Sequence, residues 1–231
     1  MKILAVETST RVGSVAIVEN ESLIAEYTLN VVATHSERLL PAIDQILKDS
    51  KLTIQEIEGF AVSLGPGSFT GLRIGISTVK GLALATGKAV VGIPTLDVLA
   101  HNVVFSHLLI CPMLDARKGE VYTALYRGDG KGILQKLSPD LALKPHDLLQ
   151  RVREPVIFLG DGVDVYRDKL TGNKDNYLFA PSYLNQPRAS TLAKLCLEKF
   201  RKGEILKEEE IIPLYCRASE AEIMWKEKEG S

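Results

Sequence analysis

The sequence predicts an α/β protein of two lobes, each a mixed sheet with helices. Three observations carry this. The first hundred residues alternate strand-like and helix-like stretches in the order β-β-β-α-β-α-β-α. A looser version of the same theme follows, with no low-complexity linker before it. Third, the stretch Gly65-Pro66-Gly67-Ser68-Phe69-Thr70-Gly71-Leu72-Arg73-Ile74-Gly75 lies between an apolar run and a long helix-compatible run. A strand, a glycine turn and a helix in that order point backbone N–H groups at the helix N-terminus, which suits an anion. Glycine also lets two backbones approach closely. At this stage the stretch is either a phosphate loop or the root of a contact helix.

The elements follow in order. Lys2–Glu7 reads as a buried strand ending at the polar turn Thr8-Ser9-Thr10-Arg11. Gly13–Val18 and Leu23–Leu29 carry the β-branched and alternating residues of two more strands, joined at Asn20-Glu21. Short turns make these three an antiparallel meander. Thr34 and Glu37 have capping-box spacing, and Leu39, Leu40, Ile43, Ile46 and Leu47 continue at helical spacing. Pro41 falls inside this helix and predicts a kink. Gly59–Leu64 is the fourth strand. The helix Leu72–Thr86 closes at Gly87, and Ala89–Ile93 is the fifth strand. Thr95 caps a helix running to about Val104.

Beyond residue 107 the sequence predicts strands over Leu108–Leu114, Val121–Tyr126, Ile133–Leu137 and Val156–Gly160. Helices are expected over Pro145–Val152, Asp164–Leu170 and Thr191–Lys202, the last capped by Ser190, and a tail helix over Ser219–Lys228. Residues 1–106 therefore form the first lobe, with 208–231 packing back on it, and 107–207 the second, smaller lobe. The element order is that of an actin-like, or ribonuclease H-like (ASKHA), two-lobed fold, by analogy.

Bulk properties narrow the function. A chain of 231 residues can bury a substantial core. The formal net charge of −1 gives no basic surplus, so any nucleic acid would be met mainly through a partner. No apolar run is long enough to span a bilayer, and Ile3–Val6 is too short for a secretory leader. The expectation is a cytoplasmic protein without a membrane role. The three cysteines are far apart and read as free structural thiols. The four histidines include no i, i+4 pair, so no metal site is expected.

Four stretches, Ile3–Ser9, His35–Pro41, Gly65–Gly75 and Asp115–Tyr122, closely resemble the bacterial TsaB (YeaZ) family. The resemblance implies a partner subunit in making N6-threonylcarbamoyladenosine at adenosine 37 of tRNA. It implies pairing with the catalytic relative TsaD, participation of the ATPase TsaE, and a homodimer when the protein is alone. In that family two first-lobe helices form a four-helix contact. Carried onto this chain, the contact comprises His35, Leu39, Leu40, Ile43, Gly71, Leu72, Arg73, Gly75, Ile76 and Val79. The family pattern has Asp where this chain has Glu7, and the longer side chain argues against strict phosphate geometry and against catalysis.

The alternative is an actin-like-fold ATPase or small-molecule kinase acting alone, with Glu7, Thr8, Ser9 and Thr10 as a degenerate nucleotide loop. The same four residues can equally be a polar hairpin turn. A second phosphate loop is missing: Asp115-Ala116-Arg117 lacks adjacent glycines, and Gly160-Asp161-Gly162 is the only substitute. No tightly bound cofactor is expected, and ATP or ADP is considered only at a partner interface. The stripe Gly71, Gly75, Thr78 and Ala85 suggests close approach of another helix, so the glycine stretch reads mainly as the turn that launches an interface helix.

Overall fold

The computed structural model describes residues 1–30, 35–170 and 176–217. The Thr34 cap and the tail helix expected over Ser219–Lys228 lie outside the described residues. The first sheet contains β1 (Lys2–Glu7), β2 (Gly13–Glu19), β3 (Ser22–Leu29), β4 (Gly59–Gly65) and β5 (Ala89–Pro94). Its strand order is β3-β2-β1-β4-β5, with β1 antiparallel to β2 and parallel to β4. This is the order of an actin-like lobe.

Period-2 alternation explains why β1 sits at the centre. Leu4 and Val6 face one side and join Phe60, Val62, Ile46 and Val79. Ile3 and Ala5 face the other and join Ala61, Val91, Leu192 and Cys196. Helices α1 (His35–Asp49) and α2 (Phe69–Thr86) cover the first face. Helix α1 continues through Pro41, which is exposed.

The second face is covered by a helix from late in the chain, Ala189–Lys202. By chain order this helix falls with the second lobe; in space it packs on β1, β2 and β5 of the first. Its start also differs from expectation. Arg188 is the N-cap residue and makes no side-chain cap bond. The Glu26 carboxylate of β3 supplies the cap instead, accepting from the Ser190 amide and hydroxyl, each at 2.9 Å, and from Arg188. Burial raises the pKa of Glu26, but the bonds from Arg188 and Ser190 outweigh it, so the net shift is downward.

The second sheet holds β6 (Leu109–Arg117), β7 (Glu120–Thr123), β8 (Tyr126–Gly128), β9 (Leu134–Lys136), β10 (Leu141–Leu143), β11 (Val156–Leu159) and β12 (Tyr177–Phe179). Its order is β10-β7-β6-β11-β12, with β8 on β6 and β9 on β8. The single strand expected over Val121–Tyr126 is thus two. Strand β7 pairs with Met113–Arg117 of β6, and β8 pairs with Leu109 and Ile110. Pro112 lies between these ladders and has no N–H to donate, so the break falls there. Strands β10 and β12 were not expected; at three residues each they show no periodicity. Helix α4 is Pro145–Leu149, and α5 (Asp161–Tyr166) begins earlier than expected; Ala189–Lys202 is α6.

The lobes are joined in two places. Helix α3 (Thr95–Ala100) places Val98 in the first-lobe core and Leu96, Leu99 and Ala100 against β6. The C-terminal segment, residues 204–217, returns along the first sheet. Leu206 N–H donates to Val90 O at 2.9 Å, Ile211 enters the first core, and Leu214 N–H donates to Leu64 O at 2.7 Å. Two residues on, Cys216 packs against the second-lobe core. No helix among the described residues is long and apolar enough to cross a membrane.

The α6 cap gives a direct test. Glu26→Ala should destabilise the protein by about 2 kcal/mol at pH 7, because Arg188 and the first-turn amide lose their acceptor. Since the Glu26 pKa is lowered on folding, its contribution is present above the usual glutamate range and is lost as pH falls through the folded value. Urea unfolding of the variant and the parent at pH 7 and pH 3.5 should show the difference shrinking at the lower pH.

Candidate functional site

The glycine stretch docks the first turn of α2 onto the β1–β2 turn. Ser68 N–H donates to Ser9 O at 2.7 Å, and Thr8 Oγ1 donates to Gly71 O at 2.8 Å. A Cβ on Gly67 would collide with the Ser9 carbonyl, and one on Gly75 with Thr8 Oγ1. These two glycines are therefore small because the chain's own first turn lies against them. The Ser68 hydroxyl caps α2 by accepting from Gly71 N–H at 3.2 Å, and Gly87 ends the helix at φ 68°.

Above this junction a cleft of about 520 Å³ separates the lobes. One wall is the turn Ser9-Thr10-Arg11 with Gly67, Ser68 and Arg73; the other is the end of β6, Leu114–Arg117, with Tyr122 and Asp161. Arg217 of the C-terminal segment completes the lining. Upstream of it, Tyr215 stacks on Phe69 with ring centroids 4.5 Å apart and accepts from Arg73 Nε at 3.1 Å. Arg217 Nη1 donates to Glu120 at 3.1 Å.

The proposed nucleotide loop divides. Ser9 and Thr10 line the cleft; Glu7 and Thr8 do not. Glu7 is fully buried and accepts from Ser9 N–H at 2.6 Å and from the Ser63 hydroxyl. On the opposite wall, Asp115 Oδ1 accepts from Arg117 N–H at 2.9 Å and from the Tyr166 hydroxyl at 3.1 Å. Arg117 Nη1 stands 3.1 Å from the other oxygen. Asp161 Oδ1 accepts from Asp115 N–H at 3.0 Å. Burial pushes the Asp161 carboxyl up to about 6, with the nearby Asp115 charge adding to it. Among the described residues no group of three His, Cys, Asp or Glu is placed to hold a metal.

The ten contact residues also divide. Leu39, Ile43, Leu72, Ile76 and Val79 are core residues of the chain's own first lobe, and Gly71 and Gly75 are buried beneath α2. They hold the helices on the sheet, and of them only Leu39 also lines the surface groove between the helices. Leu40 and Arg73 are exposed; nothing is described of the His35 side chain. The small-residue stripe splits the same way, with Gly71 and Gly75 facing inward and Ala85 outward. The exposed edge comprises Leu40 on α1, and Arg73, Ser77, Gly81 and Leu84 on α2. A groove of about 340 Å³ runs between the helices, floored by Leu39 and Ile74.

Sequence reading missed Arg11, Arg217 and Leu84. Arg217 carries no local signal, since it reaches the cleft only by the return of the tail. Asp161 had one: Gly160 and Gly162 press against the Met113 carbonyl of β6, so the Gly-Asp-Gly triplet marks a close backbone approach.

The family model described as "TsaD: tRNA N6-adenosine threonylcarbamoyltransferase" matches residues 23–225. The "tRNA threonylcarbamoyladenosine biosynthesis protein TsaB" of Bacillus subtilis strain 168 is 34% identical over 235 residues, covering 99% of this chain and 100% of that protein. The chain belongs to the TsaB (YeaZ) family. The TsaB protein of Escherichia coli K12 is 31% identical, covering 100% of this chain and 99% of that protein. The solved structure of YeaZ from Pseudomonas aeruginosa superposes with a TM-score of 0.79 at 27% identity, over 93% of this chain and 99% of that one. The TsaB match runs across both lobes.

Two measurements test the reading of the site. Gly75→Ala should cost about 1–3 kcal/mol, because its methyl meets the Thr8 side chain. Gly81→Ala, in open space on the same helix, should instead stabilise by about 0.5–1 kcal/mol. For Asp161 the folded pKa lies above the unfolded one. Stability therefore falls as pH rises from about 4 to 6, and the loss is complete above that. Asp161→Asn keeps an oxygen for the Asp115 amide and removes the charge. It should be more stable than the parent by about 1–3 kcal/mol at pH 8, with the gain gone at pH 4.

Proposed function

We propose that this protein is a non-catalytic subunit of the machinery that makes threonylcarbamoyladenosine on tRNA, and that it pairs with TsaD through the outer edge of α1 and α2. The observation that carries the pairing is the uncovered helix edge. Leu40, 55% exposed, lines the groove between α1 and α2 with Leu39 and Ile74, and Leu84, 79% exposed, lies further along the outer face of α2. Exposed large aliphatic side chains on such an edge suit a protein contact. The names of the TsaB relatives and the TsaD family match support the pathway.

The non-catalytic part rests on the acidic groups. Glu7 is committed to Ser9 and Ser63 beneath the cleft, and Asp115 to Arg117 and Tyr166. Glu7 is withheld from the cleft, and Asp115, though on its lining, is held by Arg117 and Tyr166. In this reading TsaD carries the chemistry, TsaE supplies the ATPase, and tRNA is met through the partners. Any ATP or ADP sits at a partner interface, and the protein alone forms a homodimer through the same helix edge.

The test uses exposed positions. Ile76 is a core residue, 4% exposed, so charging it would test folding instead. Leu40→Glu with Leu84→Glu should leave the thermal unfolding midpoint close to the parent's and lower TsaD co-purification by about tenfold or more. Undiminished co-purification would rule out this edge. Mass spectrometry of tRNA nucleosides after depletion tests the pathway; an unchanged threonylcarbamoyladenosine level would sink it. Turnover of ATP with magnesium by the isolated chain would overturn the non-catalytic role.

A further inference from the structure

We propose that the surface through which this chain meets TsaD does not end at α2 but continues onto the C-terminal segment, where Ile212, Leu214 and Tyr215 seat an apolar element of that partner. The inference rests on the pairing proposed above and adds a second half to it.

Helix α2 is a ridge between two grooves. On one side lies the groove shared with α1, lined by Leu40, Arg73 and Ser77. On the other, a groove of about 260 Å³ separates α2 from the C-terminal segment, with Lys80 and Leu84 on the helix and Leu206, Glu208 and Ile211 on the segment. The two sides are continuous. Arg73 lines the first groove and donates from Nε to the Tyr215 hydroxyl at 3.1 Å, and Tyr215 stacks on Phe69 at the start of α2. The segment thus flanks α2 from Leu84 near its end to Phe69 at its beginning.

This flank is apolar and fixed. Ile212 is 56%, Leu214 41% and Tyr215 39% exposed, three large apolar side chains within four residues. The backbone that carries them has no room to turn them inward. Ile211 is held in the first core, and Leu214 N–H donates to Leu64 O at 2.7 Å. Gly65 lies so close to the Leu214 carbonyl that a Cβ there would clash with it. Apolar groups already ordered in water lose little freedom on association and gain from being covered.

Size and charge assign the occupant. A stable protein pair covers about 800 Å² on each partner. The α1–α2 edge displays two exposed large aliphatic side chains, Leu40 and Leu84, beside the small Ser77 and Gly81. That edge is narrow for such an area, and the C-terminal segment is the apolar surface that adjoins it. Just before Ile212 the segment carries Glu208, Glu209 and Glu210, all exposed. Two copies of this chain meeting segment to segment would bring these acidic runs together, and like charges oppose such a contact. The segment is therefore assigned to TsaD, with basic side chains of that partner facing the acidic run. The homodimer keeps to the helix edge.

The test measures the affinity of the full chain for TsaD by calorimetry and, in parallel, homodimer dissociation by sedimentation. Ile212→Glu with Leu214→Glu should weaken TsaD binding about tenfold or more, with the homodimer changed by less than about twofold and the thermal unfolding midpoint close to the parent's. Ile212→Glu alone, at the most exposed of the three positions, should weaken it about threefold or more and keeps the test sound if the double variant unfolds. Ile133→Glu, at a site 70% exposed on the second lobe, should change neither affinity. If Leu40→Glu with Leu84→Glu weakens TsaD binding and the segment variants do not, the extension is overturned and the pairing stands. If neither set of substitutions weakens it, the pairing fails and the extension with it. An equal loss in the homodimer would assign the segment to a second copy. A large fall in the midpoint of Ile212→Glu would assign it to cover by residues 218–231 of the same chain. Either result overturns the proposal.

Discussion

The contact on which the rest of the structure depends is between the β1–β2 turn and the first turns of α2. Thr8 donates to the Gly71 carbonyl, Ser68 donates to the Ser9 carbonyl, and Gly67 and Gly75 leave room for both. This fixes the angle at which α2 leaves the sheet. It follows that Leu72, Ile76 and Val79 land on β1 and β4, and that Arg73, Ser77 and Leu84 are turned outward. The floor of the interlobe cleft and the uncovered helix edge are two sides of the same docking. Side chains at the two glycines would disturb both at once.

A second constraint is the way late chain closes an early sheet. The face of the first sheet opposite α1 and α2 is apolar, through Ile3, Ala5, Ala16, Ala61 and Val91. Such a face must be covered, and α6 covers it from 180 residues away in chain order, anchored by Glu26 at its first turn. The tail then runs back across β4 and the Phe69 ring to the second lobe. With α3 also shared between two cores, the lobes are joined by that helix and by the tail. The cleft between them is consequently a built space, with Arg217 delivered to its rim by the tail.

The acid at the end of β1 is spent inside the protein. Glu7 stands at the end of β1, where an actin-like fold would present an acid, but it accepts from Ser9 and Ser63 and is covered by the turn itself. Ser9 and Thr10, one step further along, remain on the lining. The polar character of the cleft therefore comes from hydroxyls, arginines and the aspartates Asp115 and Asp161.

The sequence by itself determined the first lobe almost element by element. Long runs such as Leu72–Thr86 carry a clear helical period, and the meander turns are short, so local chemistry suffices there. The second lobe was less legible because all its strands but β6 are three or four residues long and one ladder is broken at Pro112. The glycine motif was visible as a motif, and Gly65–Gly75 does launch a helix. Only the tertiary structure decided which way its residues face. Spacing along a helix defines faces but does not say which meets the sheet, so Gly71, Gly75, Leu72, Ile76 and Val79 could be read as a contact surface until the position of β1 made them core. Likewise no pattern links Glu26 to Ser190 or Glu120 to Arg217. Those pairings exist because burial of apolar faces brings distant chain together, and the polar groups carried along must then find partners.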